Sequence, residues 1–148
     1  EASKAGFLRN DGVLLELDGM VGLSFPNLNT GQSYYIVARH RNHLAVISSA
    51  TTLPNNNASP YNFAASAAQV QGTNQMNMVS GGYFALSAGD FNSGGVVTVF
   101  DFNFYQSEAS LINQYLTLDC NLDKTVSVAD FNLNMPNSSK IGVNLIRY

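Results

Sequence analysis

The sequence carries one twelve-residue pattern twice, and this duplication constrains the fold more than any other feature. Residues 90–101 and 119–130 are offset by 29 positions. They share Asp at position 1, Asn at position 3, Val at position 8, a hydroxyl residue at position 9 and Asp at position 12, and Phe-Asn follows each segment. Matches at so many positions indicate an internal repeat. The C-terminal part of the chain is therefore expected to hold two copies of one local structure.

The spacing of the oxygen-bearing residues in both segments predicts a cation site. Calcium prefers six to eight oxygen ligands at about 2.3 to 2.6 Å, and a tight loop presents them from positions 1, 3, 5, 7, 9 and 12. Position 7 contributes its backbone carbonyl and position 9 a water-linked group. In the second segment the predicted ligands are Asp119, Asn121, Asp123, Thr125, Ser127 and Asp130. In the first segment they are Asp90, Asn92, Gly94, Val96, Thr98 and Asp101. We therefore expect one or two bound calcium ions.

Two positions differ between the loops in ways that affect the predicted strength of calcium binding. Position 5 is Asp123 in the second loop but Gly94 in the first, so the first loop lacks one side-chain oxygen and is expected to bind more weakly. Position 6 favours a positive φ, which suits Gly95 but costs about 1 kcal/mol at Lys124. The alternative is that both segments are only turns, since Asp and Asn favour turns in any case.

The sequence pattern of residues 1–88 predicts short strands and turns. Residues 5–25 predict a two-strand meander, and residues 34–38 and 44–47 predict a hairpin with its turn at residues 39–43. Residues 76–79 and 83–87, on either side of Gly81-Gly82, predict one or two strands. We predict a mainly β protein, in which residues 1–88 form a small antiparallel β-sandwich-like body. Residues 89–148 are expected to form a tandem calcium-loop region, with short helices, packed on that body.

The sequence also predicts how the two loops pair and how their helices contact the β body. The apolar residue at position 8 of each loop, Val97 or Val126, would pair the two loops through a short β-bridge and enter the core. The residues after position 9 can begin a helix, whose start is favoured by the carboxylate near its N-terminus. The aromatic and leucine residues of these helices are expected to be buried against the β body; they are Phe100, Phe102, Phe104, Tyr105, Phe131 and Leu133.

Composition excludes several classes of function. A net charge of −3 with seven Lys and Arg residues gives no basic surface for nucleic acid or an anionic membrane. No apolar run approaches the roughly 20 residues that a membrane helix needs. Because Cys120 is the only cysteine, the chain has no disulfide of its own. Low charge, abundant Asn and calcium-type loops indicate an extracellular or cell-surface location.

The sequence predicts no enzyme. His40 and His43 could meet at a zinc ion, but no further ligand set accompanies them. The simpler interpretation is that this Arg-His-Arg-Asn-His turn bonds loop carbonyls or carboxylates such as Asp11, Glu16 or Asp18. Neither a nucleophile elbow nor a pair of free glutamates is present for hydrolysis.

The two loops resemble the duplicated calcium loop and short helix of dockerin type I repeats, which have Asp at the last loop position. The wider chain resembles the C-terminal module of large secreted or surface proteins of Bacteroidota-type bacteria. That resemblance is carried by Ala5-Gly6-Phe7-Leu8, Asp11-Gly12, Leu17-Asp18-Gly19, Tyr34-Tyr35-Ile36-Val37, Arg39-His40-Arg41-Asn42-His43-Leu44-Ala45-Val46, Gly72-Thr73-Asn74 and Ala88-Gly89-Asp90. It implies a non-catalytic extracellular module with calcium as its ligand.

Members of that group generally carry another strand upstream of the region that matches Phe7-Leu8. We therefore expect either a longer parent protein or a strand donated by a neighbouring molecule. The predicted function is a calcium-stiffened spacer or a self-assembling filament subunit joined by β-strand addition, with copies of itself or the rest of a longer surface protein as partners. The alternative is an adhesin- or dockerin-type module that recognises a protein or a surface glycan. The absence of Trp disfavours glycan binding.

Overall fold

A computed structural model describes residues 1–9, 11–53 and 60–146 of the chain. Eight short strands come first: β1 Phe7–Leu8, β2 Leu14–Leu15, β3 Ser33–Tyr34, β4 Val37–His40, β5 His43–Ile47, β6 Thr51–Thr52, β7 Met76–Met78 and β8 Phe84–Leu86. Two α-helices follow, α1 Val99–Glu108 and α2 Val128–Asn134. Single 3-10 turns lie at Phe63–Ala65, Ala67–Gln69, Ser80–Gly82 and Met135–Asn137. The chain is mainly β, as predicted.

The strands pair in four antiparallel two-stranded sheets: β1 with β2, β3 with β6, β4 with β5, and β7 with β8. The β4–β5 hairpin expected from the sequence is confirmed. The segments on either side of Gly81-Gly82, predicted as one or two strands, form two strands that pair with each other, β7 and β8. The finer expectation of a β-sandwich-like body stays a prediction. Residues 49–62, rich in Asn and containing two prolines, predict an exposed loop. Thr51–Thr52 of this segment instead forms β6, and residues 54–59 lie outside the described residues.

Strand β5 lies at the centre of the body. Its residues Leu44 to Ile47 are all buried, as their apolar side chains require. β5 pairs with β4. The N–H of Leu44 in β5 donates to the carbonyl of Ser87, just after β8, at 2.8 Å. The side chains of Ala45 and Ile47 pack with Val143 and Ile146 from the C-terminal part of the chain. The body and the C-terminal half therefore share apolar contacts.

The N-terminal meander is thinly covered. It consists of β1, β2 and a bridge from Leu15 to Val21. Large apolar side chains along it remain exposed, including Phe7 at 59 % and Leu17 at 71 %. Four charged residues of this N-terminal segment form ion pairs within it, Arg9 with Asp11 and Lys4 with Glu16. None of the helices in the described ranges is both long and apolar enough to cross a membrane.

Candidate calcium loops

The carboxylate at position 1 organises the first half of each loop. In the first loop Asp90 accepts hydrogen bonds from the N–H groups of Gly94 at 2.7 Å and Gly95 at 3.1 Å. In the second loop Asp119 accepts from the residues at the same two positions, at 3.1 and 2.9 Å. The Asn side chain at position 3 also accepts from the position 5 N–H in both loops. The two loops therefore turn around their first ligand residues in the same way.

The carboxylate at position 12 closes each loop onto its helix. Asp101 and Asp130 are fully buried. Each accepts from the N–H groups of positions 2 and 3, at 2.9 and 3.3 Å in the first loop and 2.8 and 3.2 Å in the second. Each also forms a capping box with the hydroxyl residue at position 9, Thr98 or Ser127. The helices therefore begin directly after position 9, as predicted from the sequence.

The backbone at position 6 is left-handed in both loops. Gly95 has a φ of 78° and Lys124 a φ of 70°. Position 4 shares this property, with Ser93 at 56° and Leu122 at 63°. The conformation that the sequence assigned to position 6 is thus present even where a lysine occupies it.

The prediction that Val97 and Val126 pair with each other is wrong. The N–H of Val97 donates to the carbonyl of Lys140 at 2.9 Å, and its carbonyl accepts from Ser139 at 2.8 Å. The N–H of Val126 donates to the carbonyl of Leu111 at 2.9 Å, and its carbonyl accepts from Ser110 at 2.8 Å. Each loop therefore pairs with the chain segment that leaves the other loop's helix.

The segments that pair with the loops show that the repeat extends beyond residues 90–101 and 119–130. The segment after α1 turns back through Ser110 at a φ of 77°, and the segment after α2 turns back through Ser139 at 70°. Isolated bridges join Ile112 to Thr125 and Ile141 to Val96. Ser110 and Ser139, like Ile112 and Ile141, are again 29 positions apart. The Ser-x-Ile match is therefore a further sequence signal of the repeat, outside the two twelve-residue segments.

The expected burial of the helix phenylalanines is also wrong. Phe100 is 67 % exposed, and Phe102, Phe104 and Leu133 are exposed as well. Phe102 and Tyr105 pack on the half-buried Phe131, with ring centroids 5.6 and 5.5 Å away, and Tyr105 is itself half-buried against the core beneath the loops. That core consists of the loop residues Phe91, Cys120 and Val126, together with Ala88 and Leu118, which precede the loops. Because positions 2 and 8 supply this core, the helices lie on the outer side.

A polar contact from the β4–β5 turn reaches both loops. Asn42 is fully buried, and its Nδ2 donates to the carbonyls of Thr117 at 2.6 Å and Asp119 at 3.0 Å. Its own carbonyl accepts from the N–H of Gly89 at 2.8 Å. Arg41 donates to the Asp119 carbonyl at 3.2 Å, and its guanidinium lies 3.8 Å from the centre of the Tyr115 ring. The sequence prediction that this turn bonds loop carbonyls is confirmed for Arg41, but the role of Asn42 was not foreseen.

The two histidines of this turn both contact the side chain of Asn42. The Nδ1 atoms of His40 and His43 lie 2.8 and 2.6 Å from Asn42 Oδ1, which can only accept, so both rings donate from Nδ1. Burial lowers the pKa of His43 to about 4, with further lowering by neighbouring His40 and Arg41. Burial also lowers the pKa of His40. Both rings are neutral at pH 7.

The chemistry of the loops suits a hard cation. Burial, with a smaller effect from Asp101, raises the pKa of Asp90 above its ordinary value, although its N–H partners oppose this. A bound cation would relieve that cost. Within the described ranges, no three His, Cys, Asp or Glu side chains form a metal-holding group. Apart from the Asp carboxylates, the predicted ligands of the two loops are amide, hydroxyl and backbone oxygens. Burial raises the pKa of Cys120 to about 12, which disfavours its thiolate form at pH 7.

Comparisons with protein-family models, curated proteins and solved structures found no match to this chain. Support for the site therefore comes from the sequence repeat and the geometry of the two loops.

Proposed function

We propose that this chain is a non-enzymatic, extracellular calcium-binding structural module of a bacterial surface protein. The observation that carries the proposal is the equivalence of the two loops. The carboxylates at positions 1 and 12 accept from the same backbone N–H groups in each, at distances that agree within 0.4 Å. Two turns of Asp-rich sequence need not share such a bonding pattern, whereas two loops built to receive the same ion would.

The residues present are suited to calcium. Asp119, Asn121, Asp123 and Asp130 would provide side-chain oxygens in the second loop, with the Thr125 carbonyl and a water on Ser127. Asp90, Asn92 and Asp101 would do so in the first, with the Val96 carbonyl and Thr98. Each carboxylate oxygen of Asp90 and Asp119 accepts one N–H and retains further lone-pair capacity for an ion. Each oxygen of Asp101 and Asp130 accepts two hydrogen bonds, so coordination by these two residues would replace some of those bonds. The ion would neutralise the carboxylates and hold each loop to its helix, in the manner of dockerin-like repeats beside a β-sandwich-like body.

Equilibrium dialysis against calcium tests this proposal by counting ions per chain. We expect one or two ions, with a Kd at or below about 10⁻³ M, the range of extracellular calcium modules. Replacing both first ligands, Asp90→Asn with Asp119→Asn, should remove the binding. Asp18→Asn is the matched control, because Asp18 also accepts a backbone N–H but lies in the N-terminal meander. Absence of bound calcium in the unaltered protein would refute the proposal.

The module would act as a calcium-stiffened spacer or as a filament subunit. The exposed apolar residues of the meander support the second role, because a β edge with apolar side chains favours addition of another strand. The partners proposed are copies of the same chain or the rest of a longer surface protein.

A recognition role is a second candidate, favoured by the exposure of the helix phenylalanines. A groove of about 350 Å³ lies between α1 and α2, lined by Val97, Phe102, Phe131 and Met135 among others. A dockerin-type module would use such a helix face to bind a cohesin domain. Titration with a cohesin tests this: binding that Phe100→Ser abolishes would support recognition, and no binding to the unaltered chain would remove this candidate.

A further inference from the structure

We propose that Asn42 is a positioning residue for both calcium loops, holding their first ligand residues in the arrangement that receives the ion. This inference rests on the calcium binding proposed above. Asn42 lies 48 residues before Asp90 in the sequence and belongs to the β body, so it connects the ion sites to a separate part of the fold.

Asn42 contacts the entrance of the first loop through its backbone and the entrance of the second loop through its side chain. Its carbonyl accepts from the N–H of Gly89, the residue directly before Asp90. Its side-chain Nδ2 donates to the carbonyl of Asp119, the first residue of the second loop, and to that of Thr117 two residues earlier. The backbone that carries both position 1 carboxylates is therefore fixed by one buried residue.

Asparagine is the side chain that these partners require. Two backbone carbonyls face its amide nitrogen, and two imidazole N–H groups face its amide oxygen, so the side chain needs both a pair of donors and an acceptor. Removing the amide would leave carbonyls without their Asn42 donor in a buried place, which costs free energy. The loop entrance would then be free to shift, and the Asp119 carboxylate with it.

Outer partners of this kind affect metal affinity. Groups that orient ligand residues without touching the metal typically contribute 10- to 100-fold to affinity. We expect Asn42→Ala to weaken calcium binding by roughly 10- to 100-fold. The second loop should be the one affected, because the side-chain amide contacts only its entrance, whereas the backbone carbonyl that accepts from Gly89 is kept in the alanine variant.

Ser48→Ala is the matched control. Ser48 is also fully buried in the β body, and its hydroxyl accepts from the Ile36 N–H and donates to the Ser49 carbonyl. The change removes buried hydrogen bonds but touches neither loop. Calorimetric calcium titrations are compared at a temperature where circular dichroism shows both variants folded. The proposal expects a raised Kd in Asn42→Ala and the Kd of the unaltered protein in Ser48→Ala.

Equal affinity in all three proteins would overturn the positioning role while leaving calcium binding intact. Equal weakening in both variants would also overturn it, since a general loss of stability would then explain the effect. An unaltered protein that binds no calcium would overturn this inference together with the proposed function. If Asn42→Ala does not fold, the unaltered protein supplies the test: calcium should shift the NMR signals of the Asn42 side-chain amide. Unchanged signals on saturation would refute the proposal.

Discussion

Single residues determine how strongly each loop could bind an ion. Asp101 and Asp130 are buried acids, and burying a charge is costly unless hydrogen bonds satisfy it. Each has N–H partners from three positions of its own loop. The loops differ chiefly at position 5, where Gly94 provides no side-chain oxygen and Asp123 provides a carboxylate.

The second loop is therefore predicted to be the tighter site. Asp123→Ala removes one ligand from it and should abolish or strongly weaken the tighter step in a calorimetric calcium titration. Asp101→Ala should remove the weaker step and keep the tighter one. The opposite pattern, with the tighter site lost in Asp101→Ala and kept in Asp123→Ala, would show that the ranking is wrong.

Stability should depend on pH through His43. Because burial lowers its pKa from 6.5 to about 4, the unfolded chain binds more protons than the folded one between these values. The contribution is complete above pH 6.5 and is lost as pH falls toward 4, on the order of 3 kcal/mol in total. Urea unfolding in chelator at pH 7.5 and pH 5 measures it. His43→Gln should lose most of the difference, and a full difference in that variant would exclude His43 as the cause.

At the scale of elements, the sequence predicted where a hairpin and the helices form, but not which segments pair or which helix side chains are buried. The β4–β5 hairpin followed from two apolar runs around a polar turn, and the start of both helices after position 9 followed from the loop pattern with its carboxylate at position 12. The pairing of Val97 and the exposure of Phe100 could not be read in the same way. A residue pattern identifies which side chains are apolar, but it does not say whether the core is reached by a helix or by the loop before it. Here Phe91 and Cys120 fill that place.

Position 6 offers a test of the loop conformation itself. Lys124 has a φ of 70°, which costs a non-glycine residue about 1 kcal/mol. Lys124→Gly should relieve this cost, and the gain in unfolding free energy should be at most about 1 kcal/mol because glycine also stabilises the unfolded chain through entropy. Gly95→Ala, at the equivalent position, should be destabilising. Urea unfolding of both variants measures these effects, and a destabilising Lys124→Gly would contradict the left-handed conformation.

For the whole molecule, the N-terminal meander is the surface proposed for strand addition. Leu8 and Leu14 are opposite each other on β1 and β2, and both are exposed. We expect the protein to associate as its concentration rises, measured by light scattering. Replacing both residues with Ser should keep it monomeric, because the added strand loses its apolar contacts.

Phe100→Ser with Phe104→Ser is the control for that measurement, since it changes the helix face and leaves the meander intact. It should associate like the unaltered protein. A protein that stays monomeric at all concentrations, even with an apolar strand fused before Glu1, would contradict assembly through this edge. Loss of association only in the helix variant would place the interface on α1 and α2.

Calcium should stiffen the C-terminal half of the molecule, and amide hydrogen exchange with calcium or with chelator measures this most directly. A ligand that binds only the folded state adds about 4 kcal/mol of stability at a thousandfold excess over its Kd. The account predicts that chelation speeds exchange from Gly89 to Ile146 first, with the strands β4 and β5 affected less. Exchange rates in that half that are the same with calcium and with chelator would contradict it.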